Sequence, residues 1–225
     1  MKIKMYLTAI FLMLFLGVKS QSNCSTYYPF KTGVEFEITY YDKKGNNSGV
    51  ANHIVKDVTN NVANISTAMS DEKGKALSEI DYSVECKDNG VSIDFKSLVS
   101  GDILNQYKDM EITMDGTNLN IPNSLSVGDQ LPDAALNMEI EVTPIKMKMS
   151  INIVDRKVVG NESITTSAGT FNCVVITYTT EMKMGIKKRI SSKQWISEGI
   201  GMVKSEDYNK KGKLISYSEL TKLKM

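Results

Sequence analysis

The chain of 225 residues holds one histidine, one tryptophan, four prolines and three cysteines, and each scarcity closes off a class of function. His53 has no second histidine to work with, so neither a histidine metal cluster nor a Ser-His-Asp grouping can be assembled. It falls on an expected strand face with Ala51 and Val55 and reads as a partly exposed strand residue. No Gly-rich phosphate loop and no Gly-x-Ser-x-Gly elbow occurs. The acid pairs Glu35/Glu37 and Glu139/Glu141 fall on wet strand faces, where they solubilise; an acid–base pair would need surroundings that split the two pKa values. No catalytic residue, cofactor site or metal site is expected, and the protein reads as non-enzymatic.

Charge of one sign is also missing. Lys and Arg number 27 against 26 acids, which gives no pull on polyanions and argues against a nucleic-acid partner. The one tight basic cluster, Lys187-Lys188-Arg189, reads as a solvated hairpin end.

Long apolar runs are limited to Leu7–Val18, about 12 residues after the basic start Lys2 and Lys4. That is short of the roughly 20 residues a spanning helix needs and fits the core of an export signal. Cleavage is expected after Ser20. Residues 1–20 are then a signal peptide and 21–225 a single β-rich exported domain, periplasmic or secreted, with no transmembrane helix in the mature chain. Losing Lys2, Lys4 and Lys19 leaves 24 basic residues against 26 acids, so the mature chain carries about −2. Cys24 raises the question of lipid attachment, but Asn23 and Gln21 stand where a small and an aliphatic residue are wanted.

Export permits disulfides, and the odd count of Cys24, Cys86 and Cys173 leaves one thiol over. Cys173 sits mid-strand, where a buried free thiol packs well. Cys24–Cys86 is the expected bridge, tying down the N-terminal arm; the other two pairings remain open.

What is present is alternation. Val34, Phe36, Ile38 and Tyr40 share one face, with Glu35, Glu37 and Thr39 on the other. The same period of two runs through Ile80–Cys86, Met138–Val142, Met147–Ile153 and Val174–Met184, the mark of half-buried antiparallel strands. Turn chemistry separates them: Asp42–Asn46, Asp71–Lys75 and Asn209–Lys213, with Asp88-Asn89-Gly90 and Asp115-Gly116 as tight turns. The recurring Lys-Gly turn reads as repeated hairpin chemistry, because the flanking strands match at no fixed period. One short helix is expected within Ser97–Lys108, with Asp102 able to cap it, and a loop over Ile121–Asp133.

Methionine is abundant, with 13 in the chain. Met147-Lys148-Met149 and Met182-Lys183-Met184 each put two thioethers on one strand face. Flexible core is the plain reading. An apolar concave face of Met147, Met149, Ile151, Met182, Met184 and Trp195 that holds a lipid-like ligand is a second, and Cu(I) binding a third.

The C-terminal third is the most distinctive. Ala168-Gly169-Thr170-Phe171 and the run Trp195-Ile196-Ser197-Glu198-Gly199-Ile200-Gly201-Met202-Val203-Lys204 resemble the TapB-like exported proteins of Bacteroidota, which are related to a periplasmic domain family of unknown function. Cys24, Tyr27-Tyr28-Pro29-Phe30, Glu85-Cys86-Lys87-Asp88 and the stretch Leu125–Asp133 extend the resemblance over nearly all of the mature chain. It implies a mostly antiparallel, strongly curved sheet or open β-barrel, and it brings no catalytic residues. On their own physics the same motifs are architectural: Gly169, Gly199 and Gly201 suit reversals, and Trp195 suits a core or a barrel mouth.

The expected function is a non-enzymatic envelope protein with a curved sheet that binds a hydrophobic ligand. The alternative is an envelope assembly or structural partner acting through strand edges. The export reading makes a direct prediction. Chain recovered from an exporting host should start at Gln21 by N-terminal sequencing; a chain retaining Met1 and the Leu7–Val18 run would overturn it.

Overall fold

The structure is a computed structural model that describes residues 25–87, 89–99, 106–107, 109–142 and 144–225. The expected signal segment and Cys24 lie outside the described residues. Among the described residues the chain forms thirteen strands and one 3-10 turn: β1 Glu35–Asp42, β2 Asn47–Thr59, β3 Val62–Ser70, β4 Ala76–Lys87, β5 Gly90–Ile93, the turn Phe95–Leu98, β6 Glu111–Thr117, β7 Leu119–Pro122, β8 Ala134–Val142, β9 Ile145–Thr166, β10 Gly169–Met184, β11 Ile186–Ser197, β12 Gly201–Tyr208 and β13 Leu214–Lys224.

All thirteen join one antiparallel sheet in the order β6-β8-β9-β10-β11-β12-β13-β1-β2-β3-β4-β5-β7. The two edge strands, β6 and β7, are consecutive in sequence with Asn118 alone between them. A sheet whose two edges meet at one residue must curl round on itself, and the result is a nearly closed barrel. The expected all-β fold with a strongly curved antiparallel sheet is therefore present. The segment expected to hold a helix overlaps the 3-10 turn Phe95–Leu98 at Ser97 and Leu98; the turn is capped by Asp94, whose Oδ1 accepts from Lys96 N at 2.9 Å, and residues 100–105 and 108, the expected cap Asp102 among them, lie outside the described residues.

The three Lys-Gly turns are one device used three times. In each, a side-chain oxygen (Asp42, Asp71, Asn209) accepts from the amides two and four residues on, at 2.7–3.1 Å. In each, the glycine (Gly45, Gly74, Gly212) takes a left-handed φ between +68° and +84°, which a Cβ would resist. The hairpins β1–β2, β3–β4 and β12–β13 follow from this chemistry.

Two expectations are corrected. Asp115-Gly116 is not a turn but the middle of β6, and Ile121-Pro122 is not loop but the end of β7, paired with Val91 and Gly90. The reason is close approach rather than turn geometry. A Cβ on Gly116 would stand 2.1 Å from Ala135 O, and one on Gly90 would stand 2.4 Å from Ile121 O. Pro122 is tolerated because β7 is an edge strand.

β9 changes face partway. Met149, Ile151 and Ile153 are buried at odd positions, then Arg156 and Val158 at even ones. The shift is a bulge: the register to β10 slips between Thr177 and Thr179, and Asp155 opposite takes φ +56°. The bulge turns Arg156 inward.

The inner face holds a large apolar cluster that includes Val34, Val55, Ile65, Val84 and Ile176. A second cluster, around Leu136, Met138 and Ile140, packs under the segment Phe95–Val99. Outer-face ion pairs line the ladders: Lys224–Glu35 at 2.8 Å, Lys222–Glu37 at 2.7 Å, and Lys146 with Glu139 and Glu141 at 3.0 and 2.5 Å. The expected wet role of these acids is met.

Two strand glycines separate close approach from conformational freedom. Gly90→Ala should lose about 1–3 kcal/mol through overpacking against β7. Gly160→Ala, with open space around its Cβ position, should be neutral or gain about 0.4–1 kcal/mol. Urea denaturation midpoints check both; equal midpoints for the two variants would contradict the packing of β5 on β7.

Candidate functional site

The barrel interior keeps an open cavity of about 550 Å³. Ten strands reach it, from Phe36, Ile38 and Tyr40 on β1 round to Met202 on β12. Ser97, Leu98 and Val99 close it on the side of the second apolar cluster. The N-terminal arm closes another part: Tyr28 lines the cavity, Tyr27 packs in the main cluster, and Thr26 N donates to Asn123 Oδ1 at 2.8 Å. The wall is mostly apolar, with a few polar groups aimed inward.

Four phenols are among these groups. Tyr28 is pushed up to about 12 by burial, and Tyr40, Tyr82 and Tyr178 are raised for the same first reason. They are neutral at any ordinary pH. His53 stacks on Phe36 with ring centroids 4.5 Å apart, and its Nδ1 shares a hydrogen bond with Thr67 Oγ1 at 2.7 Å. Burial pushes His53 down to about 4, so its ring is uncharged at neutral pH. It is the half-buried strand residue expected, and the side it exposes is a wall of the cavity.

Arg156 is the unforeseen member. It is 3% exposed, and one guanidinium nitrogen, Nη1, donates to Asn120 O at 3.0 Å and to Pro132 O at 2.5 Å. The first bond reaches from β9 to the edge strand β7, across the gap in the barrel. Burial pushes the guanidinium down to about 10, which leaves it cationic at neutral pH. The only sequence signal for it is the break in the alternation of β9 after Ile153.

The residues singled out from sequence lie elsewhere. Met147, Met149, Ile151, Met182 and Met184 are brought together, in the cluster with Leu136, Met138 and Ile140. Tyr107 OH donates to Met147 Sδ at 3.9 Å. Trp195 is not with them. Its neighbour Gln194 lines the cavity, so Trp195 points to the other face of the sheet. There it packs with Cys173, Val175 and Val203, donates from Nε1 to Glu162 Oε2 at 2.8 Å, and lies under Lys193 Nζ at 4.5 Å. None of the six lines the cavity. Cys173 is buried and free, and burial pushes its thiol up to about 11.

The His53 environment fixes a pH dependence. Its folded pKa lies below the unfolded value of about 6.5, so only the unfolded chain gains a proton between pH 6.5 and 4. Stability is therefore full above pH 6.5 and falls as pH drops through this window. At pH 5 the loss relative to pH 8 should be about 1–2 kcal/mol, allowing for water in the cavity. Urea midpoints at the two pH values measure it, and His53→Gln should remove most of the slope; an unchanged slope would refute the assignment.

Against known proteins, two solved structures share this architecture. One is a candidate exported protein with a YmcC-like fold from Bacteroides fragilis, with TM-score 0.73 and 22% identity over 90% of this chain and 100% of that one. The other is a candidate lipoprotein from Parabacteroides distasonis, with TM-score 0.73 and 24% identity over 89% and 99% of the two chains. At this level of identity the likeness is one of fold. No curated protein matches. The family profile matches over residues 31–220, nearly the whole barrel, and the chain belongs to the DUF3108-like family.

Proposed function

We propose that this protein is an exported, non-enzymatic envelope protein whose barrel interior holds a hydrophobic ligand. One observation carries the reading: the cavity of about 550 Å³ is enclosed by the sheet and walled mainly by apolar side chains. That size falls in the range of about 300–1,000 Å³ typical of small-molecule sites, and so does the pattern of an apolar wall with a few inward polar groups. A barrel needing only stability would fill its interior with side chains.

Export is supported by the basic-apolar start of the chain and by the descriptions of the two structural relatives. The narrower TapB-like grouping belongs to the same proposal. So does the Cys24–Cys86 bridge, for which Cys173, buried and free, leaves the other two thiols as partners. The rival readings gain less. A partner protein acting through open strand edges must contend with β6 and β7 meeting at Asn118. Cu(I) binding must contend with Met149 buried in an apolar cluster and Met147, Met182 and Met184 packed against it, which already accounts for them as packing.

Native mass spectrometry of protein purified from the cell envelope tests the proposal. A small apolar molecule should accompany the chain, leave on organic extraction, and be replaced by uptake of a neutral fluorescent naphthylamine. A chain that carries nothing and takes up no dye would end the ligand reading.

A further inference from the structure

We infer that the cavity ligand is an anionic amphiphile, an acyl chain with a carboxylate or phosphate head, seated with its head on Arg156. The inference rests on the reading of the cavity as a ligand site and names the class of molecule that fits it.

Two observations converge on the head and a third on the chain. First, Arg156 is the only charged side chain among the described residues lining the cavity; no aspartate or glutamate faces it there. A buried charge without a partner is unfavourable by several kcal/mol, so this wall is incomplete as it stands. Asp133, the acid whose field reaches the guanidinium, is an exposed residue of the loop after β7 and lies outside the cavity lining.

Second, the guanidinium is only half used. Both of its hydrogen bonds leave from Nη1 and go to backbone carbonyls, Asn120 O and Pro132 O. These bonds fix the plane of the fork. Nε and Nη2 have no acceptor among the described residues. Neither is sealed in: the fully enclosed side-chain nitrogen or oxygen without a partner, among the described residues, is Ser78 Oγ. The unused donors of a side chain that is 3% exposed therefore face the cavity that it lines. Two parallel N–H donors held in a fixed plane match the two oxygens of a carboxylate or phosphate.

Third, the rest of the wall suits a chain. Phe36, Ile38, Met69, Leu77, Ile80 and Leu98 line it, and an acyl chain gains about 0.8 kcal/mol for each methylene it buries. Tyr178, a neutral phenol close enough to Arg156 to feel its charge, stands at the head end.

The test compares decanoate, decyl phosphate, decanol and acetate by isothermal titration of the delipidated protein. The two anionic chains should bind about tenfold or more tighter than decanol, and acetate at least tenfold more weakly than decanoate. Preference for decyl phosphate over decanoate, or the reverse, identifies the head and supports the inference either way. In Arg156→Gln the advantage of decanoate over decanol should shrink to within about twofold while decanol still binds. Should that variant fail to fold, the wild-type comparison of acid with alcohol decides by itself, and Met69→Trp, which fills the cavity from β3, should weaken decanoate binding. Equal affinity for decanoate and decanol would overturn the headgroup assignment and leave the apolar-ligand reading standing. Acetate binding as tightly as decanoate would overturn the amphiphile. Binding of none of the four would overturn both this inference and the ligand reading.

Discussion

The Arg156 guanidinium is the constraint on which the barrel depends. An antiparallel sheet of this length exposes two rows of unpaired backbone groups at its edges, and unpaired edges invite pairing with other chains. Here the edges are β6 and β7, and Asn118 joins them. Its side chain ties the corner: Nδ2 donates to Ser92 Oγ at 3.0 Å, and Oδ1 accepts from Phe95 N at 3.2 Å. The remaining gap lies between β7 and the far half of β9, past the point where β8 stops pairing with it at Ile153. The loop after β7 fills part of it: Val158 N donates to Asp129 O, Leu131 N to Arg156 O and Gly128 N to Val158 O, each at 2.9 Å. Arg156 completes it from inside by holding Asn120 O and Pro132 O together. The bulge at Asp155 is what allows a residue of β9 to point inward at that place.

The interior is thereby divided. The segment Phe95–Val99 crosses between the two inner clusters, and on its far side the methionines of β8, β9 and β10 fill the space completely enough that Leu136 and Ile140 are wholly buried. Unbranched thioether side chains adapt to irregular gaps, and this cluster sits where a curled sheet meets an irregular crossing segment. On its near side the wall is built of stiff rings, Phe36, Tyr40, Tyr82 and Tyr178 among them, which do not collapse into a void. A third cluster forms on the outer face. The β9–β10 hairpin folds back there, with Ser167 Oγ donating to Thr221 O of β13 at 3.0 Å, and buries Trp195, Val175 and Cys173. Flexible packing is used where space must close and rigid packing where it must stay open.

That division explains what could be read from the sequence. Alternation is a local property, so the strands, their wet and dry faces and the three Asx-Gly hairpins were legible residue by residue. Tyr27, Tyr28, Leu125 and Leu131, singled out as motif positions, were legible as architecture, and all pack in or against the main cluster. Gly116 looks, in sequence, like a glycine chosen for a turn although it serves close approach, and Gly90, which does follow a tight reversal, serves close approach as well. The Met face was read correctly as apolar, but which apolar face stays open is decided by the crossing segment, over a dozen or more residues away in the chain. Trp195 was grouped with the methionines because period two gives the face within one strand and says nothing about faces on different strands once a bulge intervenes. Arg156 was invisible for the same reason: before the bulge its position belongs to the wet face.

The placement of charge then becomes an argument about purpose. Surface pairs such as Lys222–Glu37 and Lys224–Glu35 sit in solvent, where each contributes little. Among the described residues, the one buried cation has no carboxylate beside it in the cavity lining, and a methionine or leucine at 156 would fill the same space without the desolvation cost. What neither replacement supplies is a positive charge with two free donors at the wall of an apolar chamber. A local rule broken at one place, in a fold that obeys it elsewhere, makes Arg156 the residue on which the closure of the barrel and the proposed anionic ligand converge.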